Sequence, residues 1–173
     1  MTRRAYAPPQ SLIAALIAFL VAFLAAGATL ALAQGQKLDP KDAAAIEDCL
    51  KPYRAKKERA SACVGVIADP CLKDPKSQPL SAATACHVRE RLVWDDILNK
   101  TYEQLRLKVD DPQWAKLREM QKSWTEARRQ VCDFYWEFFR GTVATPHAEG
   151  CYRRETAEHA LYLMFFLDNA GRR

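Results

Sequence analysis

"AATACHVRERLVWDDILNKTYEQLRLKV", Ala82 to Val109, is the stretch that decides the fold. Val88, Leu92, Trp94, Ile97, Leu98, Tyr102, Leu105 and Val109 recur in it at three- and four-residue intervals. That spacing places them on one face of a long helix. Ser81 is the expected N-cap, with Pro79 just upstream. Asp110-Asp111-Pro112 ends the helix and opens another, with Asp111 as the expected N-cap and Pro112 at its first position. This second helix carries Trp114, Leu117, Trp124, Val131 and Tyr135 and runs to Phe139.

The same reading extends in both directions. Asp39-Pro40 opens a helix through "KDAAAIEDCL", and Pro52 is expected to break or bend it. A further helical piece, "YRAKKERASACVGVIA", ends at Asp69-Pro70, and the proline-rich "DPCLKDPKSQPLS" reads as a loop. "RGTVATPHAEG", 140–150, reads as another loop, bracketed by Gly141 and Gly150 and interrupted by Pro146. The last helix starts near Cys151, runs through "RRETAEHALYLMFFLDNA" and is expected to dock on the central pair of helices. Strand-like alternation is scarce. The sequence therefore predicts an all-α bundle of about five helices.

Residues 1–33 read as a signal peptide. Arg3 and Arg4 precede the apolar run "LIAALIAFLVAFLAAGATLALA", and Ala31-Leu32-Ala33 fits the small-x-small cleavage rule before Gln34. An uncleaved anchor is the other reading, because Leu12 to Ala33 is long enough to cross a bilayer. All six cysteines follow this segment, and there is no CxxC. An even count in an exported chain argues for disulfides, not a metal site or redox pair. Of the 26 Lys and Arg, only Arg3 and Arg4 precede Gln34, while all 21 Asp and Glu follow it. The remaining excess of positive charge is too mild to imply nucleic acid. Mixed runs such as "RAKKER" and "VRERLVWDD" read as solvated helix faces.

Little points to catalysis. His87, His147 and His159 share no metal-ligand spacing, and there is no GxSxG. Asp95-Asp96 could in principle do acid–base work, but on a charged helix they read as solvated or paired. No cofactor is called for. Two places invite a binding reading. Gln121, Trp124 and Arg128 share a helix face, and with Asn99 and Tyr102 they would form either a polar-aromatic pocket or a lock between two helices. In the 140–150 segment, Thr142, Thr145, His147 and Glu149 could project toward a partner. The aromatic run "DFYWEFF", 133–139, is too dense to bury on one face; part of it should meet "YLMFF" of the last helix, and an exposed remainder would suggest a partner or dimer.

The blocks themselves resemble a known family. Cys71, Cys86, Asp95 or Asp96, Leu98-Asn99 and Tyr102-Glu103-Gln104-Leu105 form the first block. Leu117-Arg118, Gln121, Trp124, Arg128 and Cys132 form the second, and "CYRRETAEHALYL" the third. In this order they resemble the LprI-like lysozyme inhibitor family, over Cys71 to Leu167. The resembling domain is placed at 71–170, and 38–70 is a helical extension with its own Cys49 and Cys63. The resemblance implies the bridges Cys71–Cys86 and Cys132–Cys151, which leaves Cys49 and Cys63 to each other; a Cys63–Cys86 bridge across two antiparallel helices stays open beside these. It also implies a periplasmic or secreted, non-enzymatic protein that blocks a lysozyme-type peptidoglycan hydrolase by occlusion. With the signal removed, no stable membrane insertion is expected. The other reading is a structural or adaptor protein binding another envelope protein or a wall fragment.

Overall fold

Asp39 caps the first helix as the sequence predicts: its carboxylate accepts from the Lys41 N–H at 2.9 Å, and Pro40 stands at the first helical position. The computed structural model describes residues 38–170. The signal-peptide reading of residues 1–33 lies outside them. Among the described residues there are five α-helices and no strand: α1 Pro40–Lys56, α2 Ala68–Lys73, α3 Leu80–Arg106, α4 Asp111–Phe139 and α5 Ala144–Asn169. None of these is long and apolar enough to cross a membrane. The three bridges are Cys49–Cys63, Cys71–Cys86 and Cys132–Cys151, separated by 14, 15 and 19 residues. No cysteine among the described residues is free, so the Cys63–Cys86 alternative is excluded.

α5 is the central helix. Gly150 sits against His87, and Arg153 bonds Glu90, so α5 runs parallel to α3. Cys132–Cys151, Arg128–Thr156 and Gln121–His159 place α4 antiparallel to α5. α4 is thus the return leg that lets two parallel helices pack side by side. This corrects the expectation that α3 and α4 are the central pair. The reason is side-chain size: Ala144, Ala148, Gly150, Ala157 and Ala160 are all buried, and small residues let α5 approach its neighbours closely. Gly150 shows the limit, since a β-carbon there would lie 3.3 Å from the His87 ring.

Several boundaries differ from the sequence expectation. Pro52 does not break α1, which continues through it to Lys56. Pro52 is solvent-exposed, so the carbonyl one turn back that loses its N–H partner can bond water instead. "YRAKKERASACVGVIA" is mostly not helical: Lys57 turns into the left-handed region at φ 58°, and only a short 3-10 turn, Ser61–Cys63, follows. The expected loop 69–81 contains the end of α2, another 3-10 turn and the start of α3. Pro79, not Ser81, is the N-cap of α3. The cap of α4 is Asp110, one residue early, because Gln113 completes a capping box with it. The last helix begins at Ala144, so most of the expected loop 140–150 is helix. Pro146 falls in its first turn, where backbone N–H groups have no intrahelical acceptor to lose.

The core joins α1, α3 and α5, and α4 packs on it through the part-buried Leu117, Met120 and Trp124. Ile46 and Leu50 of α1, with Ala60, Cys63 and Ile67, pack with Val93, Trp94, Leu98 and Leu105 of α3 and Ala157, Leu161 and Leu163 of α5. Residues 38–170 form one compact unit. At its centre Glu90, 0 % exposed, accepts from the Gly65, Ile67 and Ala68 N–H groups at 2.7, 3.1 and 2.7 Å. It also accepts from Trp94 Nε1–H and Arg153 Nη1–H, both at 3.1 Å. The charge is therefore neutralised and its lone pairs are filled, the two conditions for burying a carboxylate. Asp42 and Arg89 tie α1 to α3 by a two-pronged pair at 2.7 and 3.0 Å. Arg54 of α1 and Arg59, just past the end of that helix, pair with Asp168 and Glu158 of α5.

Candidate functional site

The two-helix signature residues divide between separate neighbours. Gln121, Trp124 and Arg128 all point to α5. The Trp124 and His159 rings stack at 4.0 Å with only 4° between their planes. His159 Nε2–H donates to Gln121 Oε1 at 2.8 Å. The Arg128 guanidinium lies 4.4 Å from the other ring system of this stack, that of Trp124, and donates to Thr156 Oγ1 at 2.8 Å. Thr156 in turn donates to the Tyr152 carbonyl at 2.7 Å. Burial, with the Arg128 charge beside it, pushes His159 down to about 4, so its ring is neutral at pH 7. Asn99 and Tyr102 are elsewhere. Asn99 is exposed and donates to Asp95 on its own helix at 3.4 Å. Tyr102 packs on Trp114 at 4.9 Å, near the α3–α4 turn. The five residues therefore do not enclose one pocket.

The seam between α4 and α5 does carry a shallow apolar groove. Met120, Trp124, His159, Tyr162 and Phe166 line one part of it. Met120 and Phe166 continue into a second part with Leu105, Val109 and Leu117. Ser123 and Ala127 complete the lining of the first part. Asp95 and Asp96, the carboxylates considered for acid–base work, are engaged by Asn99 and by Lys100 at 2.7 Å.

The 140–150 segment is a turn and a helix start. Gly141, at φ 74°, Thr142 and Val143 make the turn, and Thr142 is exposed. Thr145, with Thr142, Leu80, Ser81 and Thr84, lines a hollow where the α3 start meets this turn. His147 stacks on Phe139 at 4.3 Å. Glu149 is held by Arg91 at 3.0 Å with only 20 % of its side chain exposed, so it cannot project from the surface. Below the turn, Cys132–Cys151 and the Tyr152 hydroxyl, which donates to Asp133 at 2.6 Å, clamp the two helices. Burial and the Asp133 bond push the Tyr152 hydroxyl up to about 12. The aromatic run meets His147 and Tyr152 of this end, not "YLMFF", because the antiparallel register puts Phe166 beside Met120. Phe134 and Phe138 remain 61 % and 68 % exposed.

Glu90, Arg153 and the Asp42–Arg89 pair escaped the sequence reading. The signal for Glu90 was an acidic residue inside an apolar stripe: Cys86, Glu90, Val93, Trp94, Leu98, Thr101 and Leu105 are the buried positions of α3. Val88 and Leu92, counted in the expected stripe, are only half-buried.

The described residues form an all-α domain stapled by three sequence-local disulfides. The family model for lysozyme inhibitor LprI matches residues 71–163, more than half of the chain. The chain belongs to this family. No curated protein and no solved structure matches it significantly.

Proposed function

We propose that this chain is an exported protein that inhibits a lysozyme-type peptidoglycan hydrolase by covering its cleft, without chemistry of its own. Membership of the lysozyme inhibitor LprI family is the observation that carries this reading. Three disulfides support an oxidising compartment, periplasmic or extracellular, and residues 1–33 would be the export signal. Gln121, Trp124 and Arg128 serve in this reading to hold α4 on α5, so that one end of the hairpin is presented as a rigid surface. Thr142, Thr145 and His147 belong to that end; Glu149 braces it from behind. Rigidity favours occlusion because little conformational entropy is lost on docking.

The test is titration of the purified mature protein into lysozyme acting on suspended cell walls. Saturable inhibition at a defined stoichiometry is expected. Undiminished wall lysis at large molar excess rules the reading out. Capture of another envelope protein, with lysis untouched, points to an adaptor role instead.

A further inference from the structure

The end of the α4–α5 hairpin carries an exposed cation, Arg140, that no carboxylate among the described residues pairs. α4 stops at Phe139, and Arg140 follows at φ 51°, ψ 145°. That conformation is strained for any residue with a side chain, and such strain concentrates where a side chain must be aimed. Gly141 follows at φ 74° with open space around it. Arg140 is solvent-exposed and makes no ion pair among the described residues; Arg118 and Arg154 share that state, but Arg140 alone of the three stands at the end of the hairpin. Of the nearby acids, Asp133 is bonded by Tyr152 and Arg129, and Glu149 by Arg91; Glu137 lies one helical turn back. Phe138, 68 % exposed, stands two residues before Arg140, and the Phe134 ring lies 6.1 Å from that of Phe138. Thr142 and Val143 are exposed on the other side.

We propose that this tip, with Arg140 leading and Phe138 beside it, is the part that enters the hydrolase cleft, where the guanidinium pairs with the catalytic carboxylates. The proposal rests on the inhibitor reading above and assigns it a surface. Glycoside hydrolases of this chemistry carry two carboxyl groups about 5–10 Å apart across the scissile bond. A planar guanidinium can bridge or fork onto such a pair. Arginine and aromatic residues are also the side chains that dominate binding hot spots. The match is local charge complementarity. It does not depend on net charge, and the mildly positive net charge of the chain would provide no long-range attraction to a cationic lysozyme. The hairpin is already fixed by Cys132–Cys151, by Tyr152–Asp133 and by the Phe139–His147 stack, so the tip is presented without ordering cost.

The experiment measures inhibition constants of the mature chain and of Arg140→Gln, Phe138→Ser and Lys108→Gln against lysozyme. Glutamine at 140 keeps the same backbone penalty, and both tip positions are exposed, so melting temperatures should stay within a degree or two of the parent. Arg140→Gln and Phe138→Ser should each raise the inhibition constant at least tenfold. Lys108→Gln, an exposed cation just past the C-terminal end of α3, should leave it unchanged. Tri-N-acetylchitotriose, which occupies the cleft, should compete with the parent chain. If the parent inhibits but both tip variants inhibit equally well, or all three variants weaken alike, or the trisaccharide binds alongside, the tip assignment is overturned. If the parent itself does not bind lysozyme, the inhibitor reading falls first and takes the tip with it.

Discussion

His159 is the residue whose protonation the fold resists most clearly. Its ring is sandwiched against Trp124, buried, and near Arg128. A folded value of about 4 lies below the ordinary 6.5 of the unfolded chain, so the unfolded state binds more protons between those values. The stability this gives is complete above about pH 6.5 and falls as pH drops toward 4, by roughly 3 kcal/mol over that window. His87, also pushed down by burial and by Arg153, adds to the same slope. Urea midpoints measured from pH 7 to pH 4 should therefore fall steeply for the parent and less steeply for His159→Gln; parallel curves would show that the ring is not held neutral. Trp124→Ala removes the partner of both His159 and Arg128. Because Trp124 is only part-buried, the expected loss is about 2–3 kcal/mol, at or below the low end of the range for a fully buried aromatic. Glu90 is costlier. Gln at this position would turn an amide NH2 toward backbone N–H donors and leave Arg153 without its buried counter-charge, a loss of about 3–5 kcal/mol. Chemical denaturation settles this one too: a loss under 1 kcal/mol would mean that water reaches the site. Arg153→Met combined with Glu90→Gln should lose less than the two single changes added together.

At the scale of the elements, α4 and α5 test what a local staple contributes. Replacing Cys132 and Cys151 together by alanine should cost about 3 kcal/mol, the loop-entropy value for a ring of this length, while far-UV circular dichroism stays unchanged. An unfolding midpoint equal to the parent's would place the whole clamp in the Tyr152–Asp133 bond and the aromatic stacks. Elements of this size also mark how far the sequence could be read. Long helices with a periodic stripe, such as α3, and a Pro-marked start, such as α1 and α4, were legible because side-chain spacing and capping act locally. The end of α1 was not, because Lys57 takes a left-handed turn that nothing in "RAKKER" announces. The start of α5 was hidden by Pro146, whose usual meaning as a breaker lapses in a first turn. Gly150 misled for a related reason: it reads as punctuation but serves as the space into which His87 packs. The pairing of α5 with α3 in parallel was beyond reach as well, since helix spacing reports which face is apolar and not which helix will cover it. For the candidate site, Gln121, Trp124 and Arg128 were visible as one face, but their partners Thr156 and His159 lie 28 to 38 residues away.

At the scale of the whole molecule, the segment before Cys71 has a role that the family match at 71–163 does not cover. Ile46, Leu50, Ala60, Cys63 and Ile67 all lie in it, and all belong to the same core as Val93, Leu161 and Leu163. Three of the donors to Glu90 are its Gly65, Ile67 and Ala68 N–H groups. Gly65 holds φ 105°, and a β-carbon there would fall 2.3 Å from Asp69 Oδ2, so this turn is shaped to deliver those donors. Removing residues 38–66 would therefore do more than uncover apolar surface. It would leave a buried carboxylate short of donors and facing solvent, and it would remove the partners of Arg89 and Asp168. A chain begun at Ile67 should accordingly lose its cooperative urea transition and its near-UV circular dichroism while keeping much of its helix content. Trp94, 0 % exposed and bonded to Glu90, is the internal reporter: its fluorescence should shift to the red in the shortened chain. A shortened chain with a sharp transition and an unshifted Trp94 would mean that α3, α4 and α5 fold alone. The segment would then be an attachment to a complete domain, and the Glu90 node would have to be satisfied by water.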